Sequence, residues 1–167
     1  MKQIVIYQSS TGFTKQYAEW IGTALGCEVV DIKNGNSLNI AEYDCVIYGG
    51  WIMGNMIMGL DKIRKRNPKN LIVYAVGSTP NGETLREAIR TQNHLEQIPF
   101  YYMEGGFHFD KLNFLVRMML KKMKKSVAKK ADKTEQDIYM EKTLGTSFDH
   151  SDRKFIVPLV EYVKAGC

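Results

Sequence analysis

The chain has 167 residues, 44% of them hydrophobic, with 23 Lys+Arg against 18 Asp+Glu. That is enough for one globular domain with a buried core, and too apolar for intrinsic disorder. Every apolar stretch is cut by Gly, Lys or Arg well short of the roughly 18 residues that a membrane-spanning helix needs.

Short β-branched and aromatic runs alternate with helical stripes along the chain. Gln3–Gln8, Glu28–Ile32, Asp44–Tyr48, Leu71–Val76 and Ile98–Met103 read as strands, and their near-continuous apolar character predicts burial on both faces, as in a parallel sheet. Between them Phe13, Tyr17, Ile21 and Leu25 form one helical stripe, Ile57, Leu60 and Ile63 a second, and Leu85, Ala88 and Ile89 a third. Ile156, Leu159, Val160 and Val163 mark a last helix, whose start is expected to shift later because Pro158 suits only a first turn. The pattern predicts an open α/β sheet with helices on both faces and a ligand site beyond the carboxyl ends of the strands. Cys27, Cys45 and Cys167 lack zinc or redox spacing, so reduced thiols are expected. The first strand follows Met1-Lys2 directly, so a cytoplasmic location is expected too.

The loop after the first strand, Ser9-Ser10-Thr11-Gly12-Phe13-Thr14, carries four hydroxyls in six residues and runs into the first helix. Backbone N–H groups at a helix start, with a favourable dipole and hydroxyl donors, suit a phosphate. N-capping explains one hydroxyl but not four. A Walker A loop fails here because Lys15 follows Thr14 rather than preceding it, and a dinucleotide fold fails because G-x-G-x-x-G is missing. A receiver domain fails as well, since Ser9-Ser10 and Gly49-Gly50 stand where its acids belong.

The run Val5-Ile6-Tyr7-Gln8-Ser9-Ser10-Thr11-Gly12-Phe13-Thr14-Lys15-Gln16-Tyr17-Ala18-Glu19-Trp20-Ile21 resembles the flavodoxin signature. The resemblance covers nearly the whole chain in element order and implies a flavodoxin-like five-stranded parallel sheet, order 2-1-3-4-5. It also implies FMN, with residues 9–14 around the monophosphate. Two Gly-rich segments fit the isoalloxazine loops implied by the family: Gly49, Gly50, Trp51, Ile52 and Gly54 after the third strand, and Gly77, Ser78, Thr79 and Gly82 after the fourth. Trp51 is the candidate to lie on the ring, the alternative being a plug against the sheet edge. His108 is either a proton carrier beside the flavin or a plain surface histidine, and no histidine has a companion at metal-ligand spacing.

Residues 111–130 hold eight cations (Lys111, Arg117, Lys121, Lys122, Lys124, Lys125, Lys129 and Lys130) and no acid, leaving 15 basic against 18 acidic residues elsewhere. Leu112, Leu115, Val116, Met119 and Met123 recur at helical spacing. This basic helix either packs its stripe on the domain or meets an anionic membrane or acidic partner, which would place the protein peripherally at the inner face of a membrane. No zinc-finger or RNP-like motif accompanies it, so no nucleic acid is expected. A single domain over 1–167 is expected, with 107–150 as an insertion carrying this helix and the polar stretch 124–142 as a mobile excursion. The long insertion and the segment Leu112-Asn113-Phe114-Leu115-Val116-Arg117-Met118-Met119 resemble the flavodoxin-like menaquinone-dependent protoporphyrinogen IX dehydrogenases. The expected function is an FMN-binding oxidoreductase or electron-transfer protein, partnered by a redox protein or a quinone. A quinone-dependent protoporphyrinogen IX dehydrogenase and a non-catalytic flavin- or phosphate-binding docking module are the alternatives.

Overall fold

In the computed structural model, which describes residues 1–35, 38–112 and 114–167, the chain divides into two compact units. One comprises Met1–Gly105 with Ser151–Cys167, the other Gly106–His150. Asn113, part of the basic-helix segment, lies outside the described residues.

The larger unit runs β1 (Gln3–Gln8), α1 (Phe13–Leu25), β2 (Glu28–Asp31), β3 (Cys45–Met53), β4 (Met56–Ile57), α2 (Leu60–Arg64), β5 (Leu71–Gly77), α3 (Glu83–Gln92) and β6 (Phe100–Glu104). The smaller unit holds β7 (Gly106–Phe107), α4 (Phe114–Ala128), α5 (Glu135–Thr143) and β8 (Phe148–Asp149), and α6 (Val157–Lys164) returns to the larger. Five parallel strands lie in the order β2-β1-β3-β5-β6, with short β4 folded back antiparallel on the end of β3. This is the expected α/β architecture.

Because side chains alternate across a strand, each sheet face builds its own core. On one, Ile6, Tyr48, Val73 and Phe100 pack with Leu60, Ile63, Ile89 and Leu95, so α2 and α3 cover that face. On the other, Val5, Ile47 and Ile72 pack with Phe13, Tyr17, Ala18 and Ile21 of α1 and with Leu159, Val160 and Val163 of α6. Strands buried on both sides need no polar alternation, which is why their runs are nearly all apolar.

Four expectations are corrected. The third strand does not stop at Tyr48 but continues to Met53, since glycines leave room for close packing there. Ile57 is not helical, because β4 takes it back along β3. The stretch 124–142 is largely helical: α4 continues to Ala128, and α5 starts at a capping box in which the Thr134 side chain accepts from Asp137 N–H while the Asp137 carboxylate accepts from Thr134 N–H. Finally, Cys45 and Cys167 are joined in a disulfide with Cα atoms 6.3 Å apart, leaving Cys27 as the free thiol. Spacing alone missed this pair because 122 residues separate its members in sequence. Pro158 lies in the first turn of α6, which begins at Val157 after a short 3₁₀ turn over Arg153–Ile156.

Candidate functional site

All of the larger unit's β-to-α loops emerge at the carboxyl edge of the parallel sheet. After β1 the chain turns through Ser9–Thr11 to Gly12, which caps α1 at φ 101°, a left-handed conformation that strains any side-chain-bearing residue. The Ser9 hydroxyl accepts the Gly12 N–H at 3.0 Å and so shapes the loop. No side-chain hydrogen bond caps α1 and its first turn contains no acid, so no carboxylate of the helix itself offsets the positive end of its dipole. Ser10 and Thr11 are exposed beside it, whereas Phe13 and Thr14 are buried.

The second predicted loop is different in kind. Gly49 and Gly50 lie inside β3 and are buried. A Cβ on Gly49 would fall within the Tyr74 ring, and one on Gly50 would come 2.5 Å from Ile57 Cγ2 and 2.7 Å from the Met58 carbonyl. These glycines therefore make room for a tyrosine and for the returning hairpin. Trp51 and Ile52 are half-buried in the same strand, and the Trp51 carbonyl accepts Met58 N–H at 3.0 Å. Gly54 and Asn55, at φ 55° and 66°, make the two-residue turn into β4, as hairpin twist requires.

The third loop, Ser78–Gly82, is tied from β6. Tyr102 donates its hydroxyl to the Thr79 carbonyl at 2.6 Å, and the Glu104 carboxylate accepts Asn81 N–H at 2.7 Å. Gly105 N–H reaches the Gly77 carbonyl at 2.8 Å, and a Cβ on Gly77 would meet the Tyr102 hydroxyl at 2.5 Å. From α1, Tyr17 donates its hydroxyl to the Glu104 carbonyl at 2.5 Å and accepts Asp152 N–H at 3.1 Å. A chain of contacts thus joins α1, the end of β6 and the 78–82 loop. Tyr17, Tyr102 and Glu104 were invisible as site-builders in the sequence, where the first two read only as apolar core.

Buried tyrosines brace this edge from below. Tyr74 is fully buried and donates to the Thr14 carbonyl at 3.3 Å, while Tyr48 donates to the Met58 carbonyl at 2.6 Å. Burial pushes both phenols well up from their ordinary value, so each remains a neutral donor at physiological pH. His108 belongs to the smaller unit. A hollow of about 320 Å³ lined by Met1, Lys2, Cys27, Glu28 and Tyr43 opens at the start of β1 and β2, the edge opposite these loops.

The family model described as "Flavodoxin domain" matches residues 4–136. Protoporphyrinogen IX dehydrogenase [quinone] of Leishmania major is 24% identical over 158 residues, covering 83% of this chain and 68% of that protein. Among solved structures, a flavodoxin from the domain Archaea is 18% identical over 98% of this chain and 99% of its own, with a TM-score of 0.47. Flavodoxin 1 of Bacillus cereus is 17% identical, covering 62% of this chain and 84% of its own, with a TM-score of 0.44. With a family model spanning most of the sheet and the site loops, the chain belongs to the flavodoxin family of flavin-binding oxidoreductases.

Proposed function

We propose that the protein binds FMN at the carboxyl edge of its sheet and passes electrons between a reduced donor and a protein or quinone acceptor. The observation that carries this reading is the start of α1: a helix end with no side-chain cap and no acid in its own first turn, beside the exposed hydroxyls of Ser10 and Thr11. This donor set fits a dianionic phosphate and uses no lysine. Beyond its own chain neighbours, Gly12 has no heavy atom within 4 Å of where its Cβ would stand, so the backbone is open to close approach. Once bound, the flavin supplies the redox chemistry by taking up and releasing electrons singly or in pairs. The chain's part is to hold it. Ser9 shapes the phosphate loop, Tyr102 and Glu104 hold residues 78–82, and Trp51 offers a π surface that excludes water from a planar ring.

The test is an absorbance spectrum between 300 and 550 nm, taken after FMN has been added and the unbound excess removed (wavelengths being about those of flavin bands). A retained flavin spectrum is expected. Because Ser10 and Thr11 are exposed, the double variant Ser10→Ala/Thr11→Ala should keep its fold yet bind FMN at least about tenfold more weakly, two charge-assisted hydrogen bonds having been lost. A colourless protein would return the loop to a generic anion site.

The Leishmania major relative favours a second reading, in which a porphyrinogen is the donor and a quinone the acceptor. Each turnover would remove two electrons and two protons from the porphyrinogen and reduce one quinone to its quinol. Porphyrin fluorescence appearing only when quinone is present with the flavin-loaded protein supports it; flavin reduction by protein donors alone supports the carrier.

A further inference from the structure

Helix α4 turns part of its apolar residues outward. At 3.6 residues per turn, Phe114, Leu115, Met118, Met119, Lys121, Lys122 and Lys125 share one side, and Val116, Leu120 and Val127 the other. The second group is the less exposed, with Val127 buried. The first lies open: Phe114 is 67% exposed, Leu115 76%, Met118 43% and Met119 58%. The stripe of Leu112, Leu115, Val116, Met119 and Met123 expected from spacing is therefore split, with Leu115, Met119 and Met123 turned out. Among the described residues only Lys130 of the eight cations in 111–130 is ion-paired, to Asp137. One helix face thus presents large apolar side chains in its first half and unpaired lysines in its second.

We infer that this face docks on an anionic lipid bilayer, Phe114, Leu115, Met118 and Met119 entering the acyl boundary while Lys121, Lys122 and Lys125 meet the headgroups. Charge complementarity selects the occupant. Unpaired cations seek an anionic surface, yet a polyanion such as nucleic acid offers nothing to four exposed hydrocarbon side chains, whereas a bilayer takes both in one contact. Methionine suits such a surface because its unbranched, polarisable side chain adapts to irregular neighbours. The helix docks without spanning, since no helix among the described residues is long and apolar enough to cross a membrane. The inference stands apart from the flavin reading and does not need it.

The test is co-sedimentation of the full chain with vesicles of phosphatidylcholine alone or with about 30% phosphatidylglycerol. Binding to the anionic vesicles only is expected. Lys121→Gln/Lys122→Gln/Lys125→Gln should weaken it by roughly a hundredfold. Phe114→Gln/Leu115→Gln should weaken it by about tenfold, because apolar insertion is lost while every charge remains. Both variants are compared at unchanged far-ultraviolet circular dichroism, and the unmodified chain's lipid preference tests the claim without any substitution. Equal binding to neutral vesicles, no binding to either, or an apolar variant that binds as well as the parent would overturn the inference. So would binding to a DNA duplex as tight as that to the vesicles.

Discussion

Gly49 shows how one residue type can carry different physics at neighbouring positions. Read locally, a Gly-Gly pair after an apolar run suggests a flexible loop near a ligand, but Gly49 is where the Tyr74 ring sits, and that ring belongs to a strand 25 residues on. Such a demand comes from tertiary packing and leaves no local trace. Ser9–Gly12, by contrast, was legible because the hydroxyls, the turn and the helix start are all contiguous in the chain. Gly49→Ala should destabilise the protein by about 1–3 kcal/mol, since a methyl must displace a ring at full packing density. Urea unfolding checks this, and the loss should appear without added FMN, which separates packing from binding. Glu104 is a further residue of this kind: its carboxylate and its carbonyl serve two different partners, Asn81 and Tyr17, neither within 20 positions of it.

Among the elements, those with a clear period were placed well and those without were not. The five parallel strands and α1 and α3 stand close to where apolar runs and stripes put them, with boundaries moved by a few residues. Helix α5 escaped because Ile138, Tyr139 and Met140 are consecutive and mark no face, while its start is fixed by a capping box. There Asp137 is bonded to Lys130 at 2.7 Å and to Thr134, and these contacts hold its carboxyl below the usual aspartate range. A carboxyl lowered in the folded state stabilises fully above its unfolded value, about 4, and the contribution is lost as pH falls through the folded value. Amide protection in 135–143 should therefore drop at acid pH, and Asp137→Asn should lower it at neutral pH and remove that step. Hydrogen exchange corrected for intrinsic rates reads both. In α4 the period is plain in the sequence but the covered side is not, because a helix with apolar residues over a wide arc does not reveal which part of the arc is covered.

For the whole molecule, the α/β class was legible because parallel sheets impose an alternation of strands and crossover helices, whereas the strand order came from the resemblance of the Val5–Ile21 run to the flavodoxin signature. The Cys45–Cys167 bond was not, since nothing local to either cysteine marks the other. It ties the first residue of β3, fully buried, to the segment after α6, closing a loop of more than a hundred residues. In the chain-entropy account a link of this length contributes about 3–5 kcal/mol by restricting the unfolded chain. Reductant, or Cys167→Ser, should lower unfolding free energy by that amount, with thiol counting of the denatured protein confirming which state was measured. The same bond gives the chain a topology. Residues 45 to 167 form a covalent ring, and the whole Gly106–His150 unit lies on its circumference. A protease that nicks this unit once would therefore release no fragment: the two pieces part on a reducing gel and migrate together without reductant, and every strand of the main sheet stays attached to its neighbours.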